Sequence, residues 1–222
     1  MLTKAQETLI KSLQNKKGRL FSGLCLVEGE KNISMAKDYV EFVFGSEDTP
    51  RFDKLVSTQT PQDKAAVARI PNWSENDVLE NKRIVVLDTV QDPGNVGTIV
   101  RLCLAFDAGL ILLNSADLFG SKVIRSSAGA VFATPAMEMK ESELAEFLSN
   151  TNHAVFRLEN KKGAEIFSCQ KKLPTKFILI AGSEGKGITL KCEGISLAIK
   201  HNSKLESLNV ASALSIVLSA QY

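Results

Sequence analysis

Hydrophobic positions follow two different patterns along the chain, and the change between them lies near residue 75. The apolar residues within 3–16 have the spacing of one helix face. Further short elements are predicted after it: strands over residues 24–29 and 40–44 and a helix over 33–39. A polar stretch with proline at residues 71–77 is typical of a linker. The pattern therefore predicts a small α/β domain over residues 1–75 and a larger domain over 76–222.

From residue 82 onward, long apolar strands alternate with helices. Residues 84–88 form a near-continuous apolar run, which is typical of a strand buried on both faces. The same strand signal recurs at residues 110–113, 154–156, 177–180 and 195–199. Helices are predicted over residues 95–106, 141–148 and 205–218. This alternation predicts an α/β fold, with a parallel sheet covered by helices on both faces.

Composition narrows the classes of protein without identifying one. The 222 residues are 44% hydrophobic and 23% charged, with a net charge of +2, as in an ordinary soluble globular protein. The N-terminus has no signal-peptide run, and no stretch has transmembrane length, so we expect a cytoplasmic protein that does not bind a membrane. Neither the cysteines nor the two histidines have metal-site spacing. We expect no metal site and four buried thiols: Cys25, Cys103, Cys169 and Cys192.

Cations are concentrated near the N-terminus. Lys16, Lys17 and Arg19 form a cluster that could contact RNA phosphates. A solvated basic helix end explains the same residues, and from this stretch alone we favour that simpler interpretation.

The first candidate motif opens the helix after the strand at residues 84–88. Residues 92–97 contain proline and two glycines, and Asn95 and Arg101 lie within the first turns of the predicted helix. In open α/β sheets, ligands bind beyond the carboxyl ends of the strands, where such loops lie. A capped helix with a surface arginine explains this motif equally well.

Two further motifs follow the strand at residues 177–180. Residues 181–187 form a glycine-rich loop with Gly182 and Glu184, but their spacing matches neither a phosphate-binding Walker loop nor a dinucleotide fingerprint. Ser207, Leu208 and Asn209 precede the last helix, where the default role of Ser207 or Asn209 is a helix cap. Together the three motifs supply amides, a hydroxyl, a carboxylate and a guanidinium. Such a set suits the positioning of a substrate and a cofactor rather than hydrolysis or metal chemistry.

The order and spacing of these motifs resemble the SpoU/TrmH family of RNA ribose 2′-O-methyltransferases over residues 82–222. Residues 122–130, which contain Lys122 and Arg125, are similar to another segment of that family. The first domain, with Arg19 and residues 27–29, resembles the small α/β RNA-binding domain that many members carry.

The resemblance implies a C-terminal deep trefoil knot, S-adenosylmethionine as cofactor and a homodimer whose interface helps to build each active site. It implies cofactor contacts from the backbone at Gly182, Ile199 and Leu208. It implies a catalytic and RNA-positioning set of Asn95, Arg101, Glu184, Ser207 and Asn209. It extends RNA contacts to Lys16, Lys17, Arg19, Lys122 and Arg125.

One segment departs from the family, which usually has Ile-Pro-Met where this chain has Ile199, Lys200 and His201. Loss of proline removes a fixed φ angle, and Lys200 places a cation near a positively charged cofactor. A catalytically weak RNA-binding homologue is therefore an alternative to an active enzyme.

The attached first domain favours ribosomal RNA as substrate over transfer RNA. Two other classes fit less well. An NAD-dependent oxidoreductase lacks its fingerprint here, and a purely structural ribosome-associated module would not need Asn95, Arg101, Glu184 and Asn209.

Overall fold

The computed structural model describes residues 1–58, 63–170 and 172–222, which form two compact units. The first, here called the N-terminal unit, comprises residues 1–72 and 117–133, and the second, the sheet unit, comprises residues 73–116 and 134–222. In chain order the first stretch of the N-terminal unit contains α1 (Lys4–Leu13), α2 (Lys16–Ser22), β1 (Leu24–Glu28), α3 (Glu30–Met35), a 3₁₀ turn (Lys37–Tyr39), β2 (Val40–Gly45), α4 (Phe52–Leu55) and β3 (Lys64–Arg69). The rest of the chain contains α5 (Glu75–Leu79), β4 (Arg83–Asp88), α6 (Pro93–Ala105), β5 (Ala108–Leu113), α7 (Ser121–Ser126), a 3₁₀ turn (Ala130–Phe132), β6 (Ala136–Glu138), α8 (Glu141–Asn150), β7 (Ala154–Leu158), β8 (Glu165–Ile166), β9 (Phe177–Gly182), β10 (Ile195–Ala198) and α9 (Val210–Gln221).

A three-stranded antiparallel sheet, with strand order β1-β3-β2, forms the centre of the N-terminal unit. Helix α1 begins with a capping box, in which Thr3 Oγ accepts from the amide of Gln6 and the Gln6 side chain accepts from the amide of Thr3. Its apolar face, Ile10 and Leu13, is buried in a cluster with residues of α4 and of all three strands, including Phe44 of β2. The helix is shorter than predicted, because the chain ends α1 at Leu13 and starts α2 at Lys16.

Residues 117–133 belong to the N-terminal unit, although the sequence pattern predicted a continuous second domain from residue 76 onward. Helix α7 contacts β1. Arg125 lies 3.2 Å from the Glu28 carboxylate, which is 6% exposed, and also donates to Ser57 Oγ. This ion pair joins two segments that are 97 residues apart in the chain. Sequence periodicity has no signal for such a long-range contact, so only the structure shows that this segment packs with the N-terminal unit.

The sheet unit contains seven parallel strands in the order β6-β5-β4-β9-β7-β10-β8, which confirms the predicted α/β class. Alternate side chains of β4 and β5, such as Ile84 and Ile111, pack with Val78 of α5 and Leu144 of α8. The intervening strand residues, such as Val85, are equally buried. Because both faces of the strands are covered, the apolar runs are continuous rather than alternating.

The polar stretch at residues 71–77 is only partly irregular, and the prediction of four buried thiols was wrong. The polar stretch interpreted as a linker contains α5, which Ser74 caps by accepting a hydrogen bond from the amide of Asp77. Cys25 and Cys103 are buried, and burial raises the pKa of the Cys25 thiol to about 12, but Cys169 is exposed and Cys192 is only partly buried. Among the residues that the structure describes, no helix is both long and apolar enough to cross a membrane.

The carboxyl edge of the sheet is organised by Asp88, the last residue of β4. Asp88 is fully buried and pairs in register with Gly182, the last residue of β9. Its carboxylate accepts hydrogen bonds from the backbone amides of Thr189 and Leu190, the latter at 2.7 Å. The loop that follows β9 is therefore folded back against the end of β4.

We expect Gly182→Ala to destabilise this edge, because a Cβ atom at Gly182 would lie 2.1 Å from the backbone carbonyl of Gly187. The free energy of unfolding should fall by about 1–3 kcal/mol, as for other overpacked sites. Gly185→Ala in the same loop is the matched control, since a Cβ there meets nothing within 4 Å. Urea denaturation of both variants measures the difference, and equal midpoints would contradict the tight packing at Gly182.

Candidate active site

The first motif begins α6, and its local structure follows from helix capping. Asp92 is the N-cap, Pro93 occupies the first turn, and Asp92 Oδ2 accepts from the backbone amide of Asn95 at 2.8 Å. Because Asp92 caps the helix, the Asn95 side chain can form hydrogen bonds with other segments of the chain.

Asn209 joins the three motifs through its side-chain amide. Its Oδ1 caps α9 by accepting from the backbone amides of Ala211 and Ser212, at 3.0 and 3.2 Å. Its Nδ2 donates to Asn95 Oδ1 at 2.8 Å and to Glu184 Oε1 at 3.0 Å. The capping role expected for this position is therefore present, and the same side chain also brings Asn95 and Glu184 together.

Arg101 and Ser207 do not enter this cluster of Asn95, Glu184 and Asn209. Arg101 is exposed on α6, and its side chain forms no hydrogen bond or ion pair with the described residues. Asn95 and Glu184 contact Asn209 instead of the Arg101 guanidinium. Ser207 is exposed and lines an adjacent cleft.

Two adjacent clefts contain the three residues predicted to contact a cofactor. The larger, of about 380 Å³, is lined by Gly182 and Leu208, and the smaller, of about 100 Å³, by Ile199 and Leu208. Both clefts share Leu158, Glu159, Asn160, Ser207, Leu208 and Ala213. The loops that follow β7, β9 and β10 therefore meet around one region, and Leu208 belongs to both of its parts.

Glu159 places an ionised carboxylate on this region. Burial alone would raise its pKa, but hydrogen bonds from Lys161, Ser196 and Arg157 outweigh burial and lower the pKa of Glu159 to about 2. All three donors contact the same oxygen, Oε1, at 2.8, 2.7 and 3.1 Å. Arg157 also donates to the carbonyl of Leu190 at 3.1 Å, so this network connects β7 to the loop that Asp88 holds.

The segment that departs from the family pattern keeps a defined turn. His201 Nδ1 lies 2.7 Å from the carbonyl oxygen of Ile199 and donates to it, which requires the Nδ1-protonated ring. His201 lines the smaller cleft, whereas Lys200 is exposed and lines neither cleft. The contact limits the freedom of the turn that proline would otherwise restrict.

The five residues predicted to contact RNA all lie in the N-terminal unit, but they differ in how exposed their side chains are. Lys16, Lys17 and Lys122 are exposed. Arg19 is only 7% exposed and is paired with Asp117, while its Nη1 donates to the carbonyl of Leu13. The Arg19 guanidinium is thus engaged within the unit, and its predicted phosphate contact stays a prediction.

Arg125 is intermediate in exposure. Its side chain is 27% exposed, and Nη1 is held by Glu28 and Ser57.

The structure also adds residues that the motifs did not indicate. Asp88 looked like the end of a buried strand, and Glu159 and Asn160 belong to no recognised motif. Only the strand-end position of Glu159 could have indicated it, since ligands bind beyond strand ends. Within the described ranges, no group of three or more His, Cys, Asp or Glu side chains is placed to hold a metal ion.

We expect Asn209→Asp to separate the two roles of Asn209. Aspartate is an equally good cap, so α9 keeps its start, but the new carboxylate replaces a donor that faced Glu184. The variant should be less stable than the wild-type protein at pH 7, and the difference should shrink in acid, where like-charge repulsion is lost.

Asn209→Ala is the control, since it loses the cap and should cost about 1 kcal/mol at both pH values. Denaturation midpoints at pH 7 and at acidic pH measure both variants. A pH-independent loss in Asn209→Asp would argue against proximity to Glu184.

Glu159 should stabilise the fold in a pH-dependent way. A carboxylate whose pKa is lowered from 4.5 to about 2 stabilises the folded protein fully above pH 4.5 and loses that effect as the pH falls towards 2. The stability difference between wild type and Glu159→Gln should therefore be constant above pH 5 and decrease at lower pH.

Thermal unfolding across this pH range measures the Glu159 effect. Glu146→Gln, which removes an exposed carboxylate of α8, should differ little from wild type at any pH. A Glu159→Gln profile parallel to wild type would contradict the network around Oε1.

Known proteins share both the sequence and the fold of this chain. A model of the SpoU rRNA Methylase family matches residues 82–219. The 23S rRNA (guanosine(2553)-2′-O)-methyltransferase RlmP of Bacillus subtilis (strain 168) is 29% identical, and the alignment covers 94% of this chain and 92% of RlmP.

Two solved structures have the same architecture. A Porphyromonas gingivalis protein assigned to the TrmH family of RNA methyltransferases has a TM-score of 0.83 and 28% identity, covering 99% of this chain and 98% of that one. The SpoU methyltransferase AviRb from Streptomyces viridochromogenes, in complex with AdoMet, has a TM-score of 0.82 and 21% identity, covering 98% of this chain and 97% of that one, and it supports the fold alone. The family match extends over more than half of the sequence and includes all three motifs; the chain belongs to the SpoU rRNA methylase family.

Proposed function

We propose that this protein is an RNA ribose 2′-O-methyltransferase that uses S-adenosylmethionine and acts on ribosomal RNA. The observation that carries the proposal is the Asn209 side chain, which joins Asn95 and Glu184 at the loops around the cleft of Gly182 and Leu208. RlmP, which is similar over nearly the whole chain, is a 23S rRNA methyltransferase. This similarity includes the N-terminal unit, and it favours ribosomal over transfer RNA.

Three further features belong to the proposal. The first is a trefoil knot at the C-terminus, supported by the loop after β9 that Asp88 holds and by the position of β10 between β7 and β8. The second is a substrate-RNA-binding role for the N-terminal domain, for which the exposed Lys17 and Lys122 are suited. The third is a cytoplasmic homodimer. Arg101 lies outside the cluster of its own chain, which agrees with a site that a second chain completes.

The clefts have the chemistry that S-adenosylmethionine needs. Their larger part, about 380 Å³, is within the roughly 300–1,000 Å³ range of small-molecule sites. Leu158, Ile199 and Leu208 offer apolar surface for a purine ring, while the Glu159 carboxylate suits ammonium or hydroxyl groups. Gly182 lacks a side chain where the β9 loop lines the cleft. These residues would hold the cofactor largely through backbone and apolar contacts.

When bound, S-adenosylmethionine would supply an electrophilic methyl group to the ribose 2′-oxygen; the hydroxyl proton would pass to solvent, and S-adenosylhomocysteine would be left. The chain's own residues position the ribose. Arg101 is the phosphate clamp, because a guanidinium binds phosphate through two parallel hydrogen bonds. It is a poor proton acceptor, since a guanidinium stays protonated in proteins and offers donors but no acceptor. Ser207 offers a hydroxyl beside the cleft, and the Asn95–Glu184–Asn209 cluster holds the surrounding loops in one arrangement.

A catalytically weak RNA-binding homologue is the second candidate. It is favoured by His201, which lines the smaller cleft where the family pattern has methionine. Calorimetric titration with S-adenosylmethionine separates the two candidates. Saturable binding supports the enzyme, and no binding by the folded protein favours the homologue.

We expect Arg101→Ala to reduce methyl transfer from labelled S-adenosylmethionine to ribosomal RNA by at least about 10²-fold, because a misplaced substrate loses this much. Calorimetric affinity for the cofactor should remain unchanged, since Arg101 is exposed and lines neither cleft. Arg101→Lys keeps the charge without the planar fork, and it should retain part of the activity.

Two outcomes would count against these assignments. Loss of cofactor binding in Arg101→Ala would contradict the clamp role. Absence of methyl transfer by the wild-type protein to any ribosomal RNA, despite cofactor binding, would count against the proposed substrate.

A further inference from the structure

Helix α2 of the N-terminal unit presents an aromatic side chain to solvent. Phe21 is 94% exposed and the neighbouring Leu20 is 73% exposed, the highest values among the large hydrophobic residues described apart from Met1. A phenylalanine ordinarily packs against the core, as Phe44 of β2 and Phe52 of α4 do in the same unit. The exposure of Phe21 therefore needs a physical reason.

The orientation of α2 is set by Arg19. Its guanidinium is buried, paired with Asp117 and bonded to the carbonyl of Leu13. Side chains advance by about 100° per residue along a helix, so residues two positions away lie on the opposite side. With Arg19 turned inward, Lys17 and Phe21 are turned outward together, and the observed burial agrees.

Lys17 and Phe21 are four residues apart and are thus neighbours on one helix face. Lys17 is exposed, and so is Lys16 in the preceding position. The face combines an ammonium group with an uncovered aromatic ring. Cores of protein–protein interfaces are depleted of charged residues and of lysine in particular. Single-stranded nucleic acid, in contrast, combines a polyanionic backbone with bases that stack on aromatic side chains.

We infer that the α2 face of Lys17 and Phe21 binds an unpaired nucleotide of the RNA substrate, with the base stacked on Phe21 and a phosphate near Lys17. This inference rests on the proposed RNA methyltransferase function and adds a base-stacking contact outside the catalytic unit. Its ligand is a single-stranded segment of RNA. Any base can occupy the platform, because stacking uses the face of the base and not its hydrogen-bonding edge.

The test measures binding of the full-length protein to a fluorescein-labelled single-stranded oligoadenylate by anisotropy. Phe21→Ala should weaken binding by at least about fivefold, which corresponds to ~1 kcal/mol of stacking. Phe21→Trp should bind within about twofold of wild type, because it keeps an aromatic face. Phe21→Leu keeps apolar area without a ring and should behave like the alanine variant.

Two controls separate stacking from charge. On an abasic oligonucleotide of the same length, wild type and Phe21→Ala should bind equally, since no base is present to stack. Lys17→Ala should lower the slope of log affinity against log salt concentration by about one, whereas Phe21→Ala should leave that slope unchanged. Because these side chains are exposed, all variants should keep the wild-type melting temperature.

Several results would overturn the inference. These are equal oligoadenylate affinities of wild type and Phe21→Ala, full binding by Phe21→Leu, or no binding of single strands by the wild type. Conversion of a dimer to a monomer by Phe21→Ala in light scattering would instead assign this face to a second copy of the chain. Cofactor titration and methyl transfer are measured in parallel. The proposed function therefore stands or falls independently of Phe21.

Discussion

The Asn209 side chain uses both ends of its amide, and the arrangement of the candidate site depends on that division. The oxygen starts α9, and the nitrogen bonds to Asn95 at the start of α6 and to Glu184 in the loop after β9. Only an amide can accept at one end and donate at the other in this way. Serine or aspartate would cap the helix equally well, but neither presents an NH₂ group to a carbonyl and a carboxylate together. Asn209, whose sequence position predicts a helix cap, thus also connects the three motifs.

The loop after β9 is held by the buried carboxylate of Asp88 rather than by hydrogen bonds of a helix or strand. Asp88 satisfies the amides of Thr189 and Leu190, two groups that would otherwise be unpaired at the edge of the sheet. Arg157 and Glu159 hold the same loop from the side of β7. Backbone groups can form a precise ligand site only when their positions are limited in this way. These contacts give the loop after β9 a defined shape beside the larger cleft.

Charged residues of the N-terminal unit illustrate how a buried partner changes the role of a cation. Arg19 and Arg125 have the sequence character of phosphate ligands, but Asp117 and Glu28 hold them within the unit. Removal of one member of such a pair leaves a poorly solvated charge, so these arginines are structural as well as electrostatic. Residues 117–133 are attached to the N-terminal unit by the same contacts. The two units are therefore not separated at a single point in the chain.

The sequence by itself determined the strand–helix alternation, the buried strands of the parallel sheet and the positions of three polar motifs at strand–helix junctions. These features depend on local periodicity and on residue types that favour turns and caps, which are visible within a few residues. Only the tertiary structure decided that Asn209 meets Asn95, 114 residues earlier, that Arg19 points inward and that Glu159 lies beside the cleft. It also decided that α2 is a separate helix with Phe21 exposed. These facts depend on which distant segment supplies the partner of a side chain, and no local pattern contains that information.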